Sequence, residues 1–250
     1  MTDVSKGKLE KYPAEKLDEG AVAEQLQTLS EKVELKPREV THVFWTGGFD
    51  STSIILGYLK ERRTVQPIYM QHSRGWAKCE MELQAQQEIR EYLGSPSGLL
   101  PSLVWHHDTL SELPAAKPLV QALDELASAI GISYQYSALR LCRDLMGWND
   151  KPIELGIVEH DELWEKFQST CSADGKYSKA LMAFFAGFEF PIFTKSKKDL
   201  WMEATPQERD LLKKTFCCEN SDGERRSCTD RGVTMKNRCG PCKRRIEALW

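Results

Sequence analysis

The stretch VFWTGGFDST, residues 43–52, decides the fold of this chain. Its first three residues form a short apolar run, which predicts a buried β-strand. Gly47 and Gly48 follow, and two consecutive glycines let the backbone turn sharply and approach a ligand closely. Apolar residues then recur at helical spacing and predict a helix over residues 51–62. The stretch therefore predicts a strand, a glycine turn and a helix in direct succession.

Strands and helices continue to alternate after this stretch. Apolar patterns predict strands at 65–71, 103–107, 153–158 and 190–193, with helices at 81–93, 119–130, 139–146 and 181–188. Strands that alternate with helices need crossover connections, which give a parallel sheet with helices on both faces. We therefore expect an α/β fold with a parallel, doubly wound sheet. Ligands of such sheets bind at the carboxyl ends of the strands.

The loop after the first strand has the residues of an anion site. Ser51, Thr52 and Ser53 lie at the predicted helix start, where free N–H groups and the positive end of the helix dipole favour an anion. Asp50 would repel a phosphate unless a metal ion intervened, so a nucleotide with Mg²⁺ is the expected ligand. The loop is not a Walker A loop, because the pattern GxxxxGK[ST] is missing. The alternative is a glycine turn before a capped helix, with no ligand.

The composition restricts the class of protein. The chain has 250 residues, of which 41% are apolar and 28% charged, as is usual for a soluble globular protein. No apolar run approaches the roughly 18 residues that span a bilayer, so we expect no membrane association. The polar first residues predict no secretory signal, and a cytoplasmic location is expected. The net charge of −3 makes binding of nucleic acid unlikely.

A cluster of cysteines near the carboxyl terminus predicts a zinc site. Five of the eight cysteines lie between residues 217 and 242, where two of them form a C-x-x-C pair. Four thiolates suit the tetrahedral preference of Zn²⁺ and leave no open position, so the zinc would be structural. The expected ligands are Cys218, Cys228, Cys239 and Cys242. Cys217 competes with Cys218 as the first ligand.

Three segments follow from these patterns. Residues 1–38 are polar and predict a helical extension. Residues 39–214 hold the alternating strands and helices, and residues 215–250 form the predicted zinc-binding module.

The loop resembles the [ST]-G-G-x-D-S loop of the PP-loop ATP pyrophosphatase superfamily. Members cleave ATP between its α and β phosphates and adenylate a substrate. The resemblance implies that backbone N–H groups of the loop hold pyrophosphate and that Asp50 helps to place Mg²⁺. The residues that it assigns to the nucleotide are Thr46, Gly47, Gly48, Phe49, Asp50, Ser51 and Thr52. Trp45, directly before the loop, is a further candidate for nucleotide contact.

The loop and the cysteine cluster together resemble the QueC family, the 7-cyano-7-deazaguanine synthases. Over residues 40–250, Arg245 matches the last arginine of that family's zinc motif C-G-x-C-x-x-R. Residues 69–72, followed by Glu80 or Glu82, resemble its Y-G-Q-x-H…E stretch, which adds Gln71 and His72 to the nucleotide site. Residues 191–200 resemble the segment that leads to its first zinc cysteine.

The chain departs from this family in the substrate region. The pattern G-x-N-x-x-D…Y-P-D is missing, and its nearest counterpart is residues 156–161. The family's P-G-R-N is also missing, and residues 134–137 stand near its place. The spacing from Cys228 to Cys239 is longer than in the family. The resemblance therefore supports use of ATP and a zinc module in this chain more strongly than it supports recognition of the deazaguanine acid that QueC proteins use.

The resemblance implies a ligase reaction. A small-molecule carboxylic acid would attack the α-phosphorus of ATP and release pyrophosphate, and ammonia or an amine would then displace AMP to give an amide. A second activation would dehydrate the ammonia-derived amide to a nitrile. The implied catalytic residues are Asp50 and Ser51, with Lys195 or Lys197 reaching the phosphates. Arg140 and Arg143 are alternatives for the phosphates. QueC-like enzymes often self-associate, so a homodimer is possible.

Three other functions remain open. The missing substrate motifs and the extension at 1–38 favour a repurposed QueC-like enzyme that joins its acid to a protein amine. Basic residues between 225 and 245 favour a PP-loop enzyme that modifies tRNA. A zinc scaffold that retains a nucleotide without turnover is the non-catalytic alternative.

The cysteine assignment predicts the metal content. Freshly purified protein should hold about one zinc ion per chain, measured by plasma mass spectrometry. Replacement of Cys239 and Cys242 by Ser should remove most of the metal, because a tetrahedral site loses half its ligands. Cys171→Ser, outside the cluster, should leave it in place. Less than about half an equivalent of zinc in the wild type would contradict the assignment.

Overall fold

A computed structural model describes residues 40–71, 76–148, 151–171 and 178–215. The predicted extension at 1–38 and the predicted zinc ligands lie outside the described residues. Both assignments therefore stay predictions. Within the described part of the chain, no helix has the length and apolar character needed to cross a membrane.

Five parallel strands form one sheet. The strands are β1 (Val40–Phe44), β2 (Thr64–Gln71), β3 (Leu103–His106), β4 (Ile153–Glu154) and β5 (Phe188–Glu189). Their order across the sheet is β3-β2-β1-β4-β5, and every neighbouring pair is parallel. The expected α/β fold with a parallel sheet is confirmed.

Helices connect the strands. Along the described chain they are α1 (Phe49–Lys60), α2 (Trp76–Tyr92), α3 (His107–Ser111), α4 (Lys117–Ile130), α5 (Tyr134–Leu145), α6 (Glu162–Ser169), α7 (Lys179–Phe184), α8 (Lys197–Glu203) and α9 (Pro206–Leu212). Apolar residues of α1, α2, α8 and α9 form one core cluster, and those of α4 to α7 form another.

The two clusters lie on opposite faces of the sheet. Side chains of a strand alternate between its faces. In β1 and the residue after it, Val43 and Trp45 join the α1 cluster, whereas Phe44 joins the α4–α7 cluster. The expectation of helices on both faces of the sheet is therefore confirmed.

The strand order reverses between β1 and β4. The chain runs outward from β1 through β2 to β3 and then crosses back to β4 on the other side of β1. At the carboxyl edge the chain leaves β1 for α1 on one face of the sheet and leaves β4 for α6 on the other face. Open α/β sheets bind their ligands at such a switch point.

Two predicted elements near residue 188 were wrong. The helix predicted over 181–188 ends at Phe184, and the strand predicted over 190–193 is instead β5. Gly187 lies in the turn before β5: its φ is positive, at +83°, and a Cβ there would clash with the Arg143 guanidinium. Apolar periodicity does not register such a turn.

The strand predicted over 153–158 is only two residues long. After Glu154 the chain leaves the sheet, and Gly156 lies against the start of α1. The helix predicted over 51–62 is α1, which begins two residues earlier than expected. The short strand and the early start of α1 leave Gly156, after β4, in contact with Ser51 in the first turn of α1.

A buried carboxylate lies in β4 under α1. Glu154 is paired with Val43 of β1 and is buried, and its Oε2 has no hydrogen-bond partner among the described residues. Burial raises the pKa of Glu154, although a hydrogen bond from Tyr58 and the charge of Arg63 act in the opposite direction. The carboxylate form is therefore held at a net cost to the folded state.

Glu154→Gln should stabilise the protein at neutral pH. A carboxyl whose pKa is raised on folding contributes stability below its unfolded pKa and loses it as the pH rises. The gain in unfolding free energy of the variant should thus grow from pH 4 to pH 8 in urea titrations. Glu165→Gln, at an exposed position of α6, is the control and should show no such pH dependence. An equal gain at both pH values would contradict the assignment.

Candidate functional site

Gly47 shapes the loop between β1 and α1. Its φ is +71°, a conformation that side chains rarely adopt. A Cβ at this position would lie 2.9 Å from the carbonyl oxygen of Glu82 on α2 and 3.1 Å from the Ala85 Cβ. The turn therefore requires glycine for its backbone angle and for its packing.

The first turn of α1 presents backbone N–H groups. Gly48 precedes the helix in an extended conformation and has no side chain that could cap it. The Thr52 amide is the first to join the helical ladder, through the Gly48 carbonyl at 3.1 Å. The amides before it have no partner within the helix, and they lie at the positive end of the dipole. This arrangement suits an anion.

A cleft opens at the switch point beside this helix start. Its volume is about 110 Å³. Complete small-molecule pockets measure roughly 300–1,000 Å³, so this cleft suits part of a ligand, such as a phosphate group. Three segments line it: the β1 loop (Phe44, Thr46, Gly48, Asp50, Ser51), the start of α5 (Gln135, Tyr136) and the residues after β4 (Leu155, Gly156, Ile157).

Lys197 forms an ion pair with Asp50 in the first turn of α1. The two residues are 147 positions apart in the chain. The Lys197 side chain is 8% exposed and that of Asp50 is 19% exposed. Ser196 caps the short helix α8 with Asp199, which holds Lys197 in the first helical turn. The structure thus brings together two of the four residues predicted to be catalytic.

The other predicted cations lie elsewhere. Lys195 pairs with Glu203 at 2.6 Å, and its side chain is 40% exposed. Arg140 pairs with Asp144 at 2.7 Å and donates to the Phe184 carbonyl at 2.8 Å. Arg143 is buried. Neither these three cations nor Lys197 is among the residues that line the cleft, but Lys197 contacts Asp50, which does line it.

The loop residues divide into two groups. Thr46, Gly48, Asp50 and Ser51 line the cleft, as expected for ligand contacts. The side chains of Thr52 and Phe49 are buried. Trp45 is also fully buried, so the expectation that its side chain contacts a nucleotide was wrong.

The predicted residues at the end of β2 lie one strand away. Gln71 ends the strand, next to His106 of β3, whereas His72 lies outside the described residues. Tyr69 donates to the Glu82 carboxylate at 2.9 Å, and burial raises the pKa of Glu82. Of the two glutamates proposed for this motif, Glu82 is therefore the one that contacts Tyr69.

The described residues contain no metal cluster. No group of three or more His, Cys, Asp or Glu side chains there is arranged to hold a metal ion. The predicted zinc ligands Cys218, Cys228, Cys239 and Cys242 lie outside this part of the chain.

Six cleft residues were not predicted as site residues: Phe44, Gln135, Tyr136, Leu155, Gly156 and Ile157. Gly156, Gln135 and Tyr136 line the cleft opposite the loop. Sequence comparison marked their segments only as departures from the QueC pattern. Gly156 had one usable signal, since a glycine inside the strand predicted over 153–158 can mark a close approach of another backbone.

Comparisons with known proteins do not establish a family. No family model matches the chain, and no curated protein matches it. Among solved structures, it is similar to a predicted subunit of tRNA methyltransferase from Methanocaldococcus jannaschii. The identity is 14% and the TM-score 0.37, over 82% of this chain and 94% of that one. A similarity at this level carries no conclusion about function.

Gly156→Ala should disturb the start of α1. Its Cβ would lie 2.7 Å from the Ser51 amide nitrogen, which is backbone and cannot move aside cheaply. We expect a loss of about 1–3 kcal/mol of unfolding free energy in urea, as for overpacked cores. We also expect a shift of the Ser51 amide signal in NMR spectra.

Gly57→Ala is the matched control. Gly57 lies inside α1, and a Cβ added there would meet no other atom within 4 Å. Alanine should therefore stabilise the helix by up to about 1 kcal/mol. Equal effects of the two alanine substitutions would contradict the close approach at Gly156.

Proposed function

We propose that this chain is an ATP-dependent, AMP-forming ligase. It adenylates a carboxylic acid, releases pyrophosphate and passes the acyl group to a nitrogen nucleophile. One observation carries the proposal: a glycine loop and the start of α1 lie at the switch point of a parallel sheet, with Asp50 and Lys197 paired beside them. The type of reaction, adenylation with release of pyrophosphate, is inferred from the resemblance of the loop to the PP-loop motif.

The helix start would bind the departing pyrophosphate. Backbone N–H groups from Gly48 to Ser51 donate to phosphate oxygens without reorganising, because the fold already orients them. Lys197 adds a positive charge at the same place. Phosphorus chemistry depends mainly on such positioning and charge neutralisation.

Asp50 gives the site an oxygen ligand for a hard cation. Mg²⁺ binds nucleotide phosphates through one or two carboxylates and keeps several waters, which fits a partly exposed carboxylate at the cleft. When bound, Mg²⁺ would neutralise phosphate charge. The Lys197 ammonium would then be shared between Asp50 and the phosphates.

The acid would enter from the side of β4 and α5. Its carboxylate oxygen attacks the α-phosphorus and displaces pyrophosphate, after which ammonia or an amine attacks the acyl carbon and AMP leaves. The proposed acid is 7-carboxy-7-deazaguanine or a relative, and the first product is an amide. A nitrile forms from the ammonia-derived amide only when a second ATP adenylates the amide oxygen, releasing pyrophosphate, and that oxygen then leaves with AMP. The structural zinc at the predicted cysteine site and a homodimer belong to the same proposal.

A protein amine is the second candidate acceptor. The cleft wall opposite the loop contains Gln135, Tyr136 and Gly156, which lie in the segments where the sequence departs from QueC proteins. Because this wall differs from that expected of a QueC protein, a different substrate or acceptor is favoured. Mass spectrometry of co-expressed partner proteins would detect the covalent adduct.

Modification of tRNA is a third candidate, based on the basic residues between 225 and 245. Binding through phosphates weakens steeply with salt. No gel shift of tRNA at low salt would eliminate it.

Pyrophosphate release tests the ligase directly. With Mg²⁺, ATP and a panel of carboxylic acids and amines, the wild type should release pyrophosphate. Asp50→Asn and Lys197→Met should each slow release by about 100-fold, since each removes one charge at the reacting phosphates. Circular dichroism should verify that both variants fold.

Lys195→Met is the matched control, because Lys195 lies two residues from Lys197 but pairs with Glu203 at the surface. Its rate should stay within about twofold of wild type. If the wild type and Asp50→Asn share one background rate across the whole panel, the proposal is wrong.

A further inference from the structure

Trp45 links the sheet to both neighbouring helices. Its backbone N–H donates to the Ile68 carbonyl at 2.8 Å, which extends the β1–β2 ladder by one residue. Its carbonyl accepts from the Gln86 side chain of α2 at 2.8 Å. Its indole Nε1–H donates to the Thr52 hydroxyl of α1 at 3.0 Å. The residue directly before the glycine loop is therefore held at three points.

The bond between Trp45 and Thr52 lies in the core. Both residues are 0% exposed. Water cannot replace either partner there, and a buried donor or acceptor without a partner is costly. The bond thus satisfies both the indole N–H of Trp45 and the hydroxyl oxygen of Thr52. Breaking it would leave both groups buried without this partner.

This bond holds the part of α1 that presents the amides. Thr52 is the first residue whose N–H joins the helical ladder, and the free N–H groups lie on the residues just before it. A rotation of the first turn would pull the Thr52 hydroxyl away from the indole. Gly47 packs against α2 and Gly156 against the Ser51 amide, so the turn is restrained from three sides.

We propose that Trp45 is a positioning residue for the anion-binding loop and acts through the Thr52 hydroxyl. Thr52 is then a support for the loop, and its side chain does not contact the ligand. The inference rests on the proposed function, because it takes the phosphates of ATP as the anion. It assigns a role to a buried tryptophan that touches no substrate.

The experiment compares affinity for ATP among variants of the full chain. Trp45→Phe keeps an aromatic ring and removes the N–H, whereas Thr52→Val keeps the shape and removes the acceptor. Each should raise the dissociation constant for ATP with Mg²⁺ by about tenfold in calorimetric titrations. The double variant should be no weaker than the single ones, because both remove the same bond.

Two further variants separate positioning from loss of stability. Thr52→Ser keeps the hydroxyl and should retain the wild-type affinity. Trp105→Phe is the matched control, since Trp105 is 3% exposed and its Nε1–H has no hydrogen-bond partner among the described residues. Its affinity for ATP should equal that of the wild type.

The outcomes distinguish the two proposals. Wild-type affinity in Trp45→Phe, additive losses in the double variant, or an equal loss in Trp105→Phe would overturn the positioning role. In each case ATP binding by the wild type would leave the proposed function intact. A wild type that binds no ATP with Mg²⁺ would overturn both.

Discussion

Close backbone packing around the first turn of α1 is the constraint on which the site depends. Gly47 brings the loop within contact of α2, and Gly156 brings the segment after β4 against the Ser51 amide. Neither contact leaves room for a Cβ, so both positions require glycine. The sheet order places these contacts at its switch point. The proposed anion binding by the helix start consequently depends on packing against α2 and against the segment after β4.

The pair between Lys197 and Asp50 adds charge to this backbone frame. It connects the start of α8 to the start of α1 across 147 residues. A largely buried ion pair gains little net stability, because desolvation of both groups offsets their attraction. The position of this pair, beside the first turn of α1, fits the proposed nucleotide, which would use both charges. Lys195, paired with Glu203 at the surface, has no such position.

Prediction from the sequence succeeded where the signal was local. The first three strands, and the helices between them, follow from apolar periodicity, and the loop follows from its glycines and hydroxyl residues. Prediction failed near Gly187, where the backbone turns at a positive φ beside the Arg143 guanidinium. It also left Lys195 and Lys197 as alternatives, because the contact that separates them joins Lys197 to Asp50, 147 residues earlier in the chain. The zinc ligands stay a prediction.

The sequence by itself determined the α/β alternation and the glycine loop before α1, because these depend on residues close together in the chain. Tertiary structure alone decided that Lys197 meets Asp50 and that Thr52 faces Trp45 in the core. It also placed Gln135 and Tyr136 opposite the loop. The physical reason is that each arrangement depends on how separate elements pack, and strand order and helix ends are not encoded in any one segment.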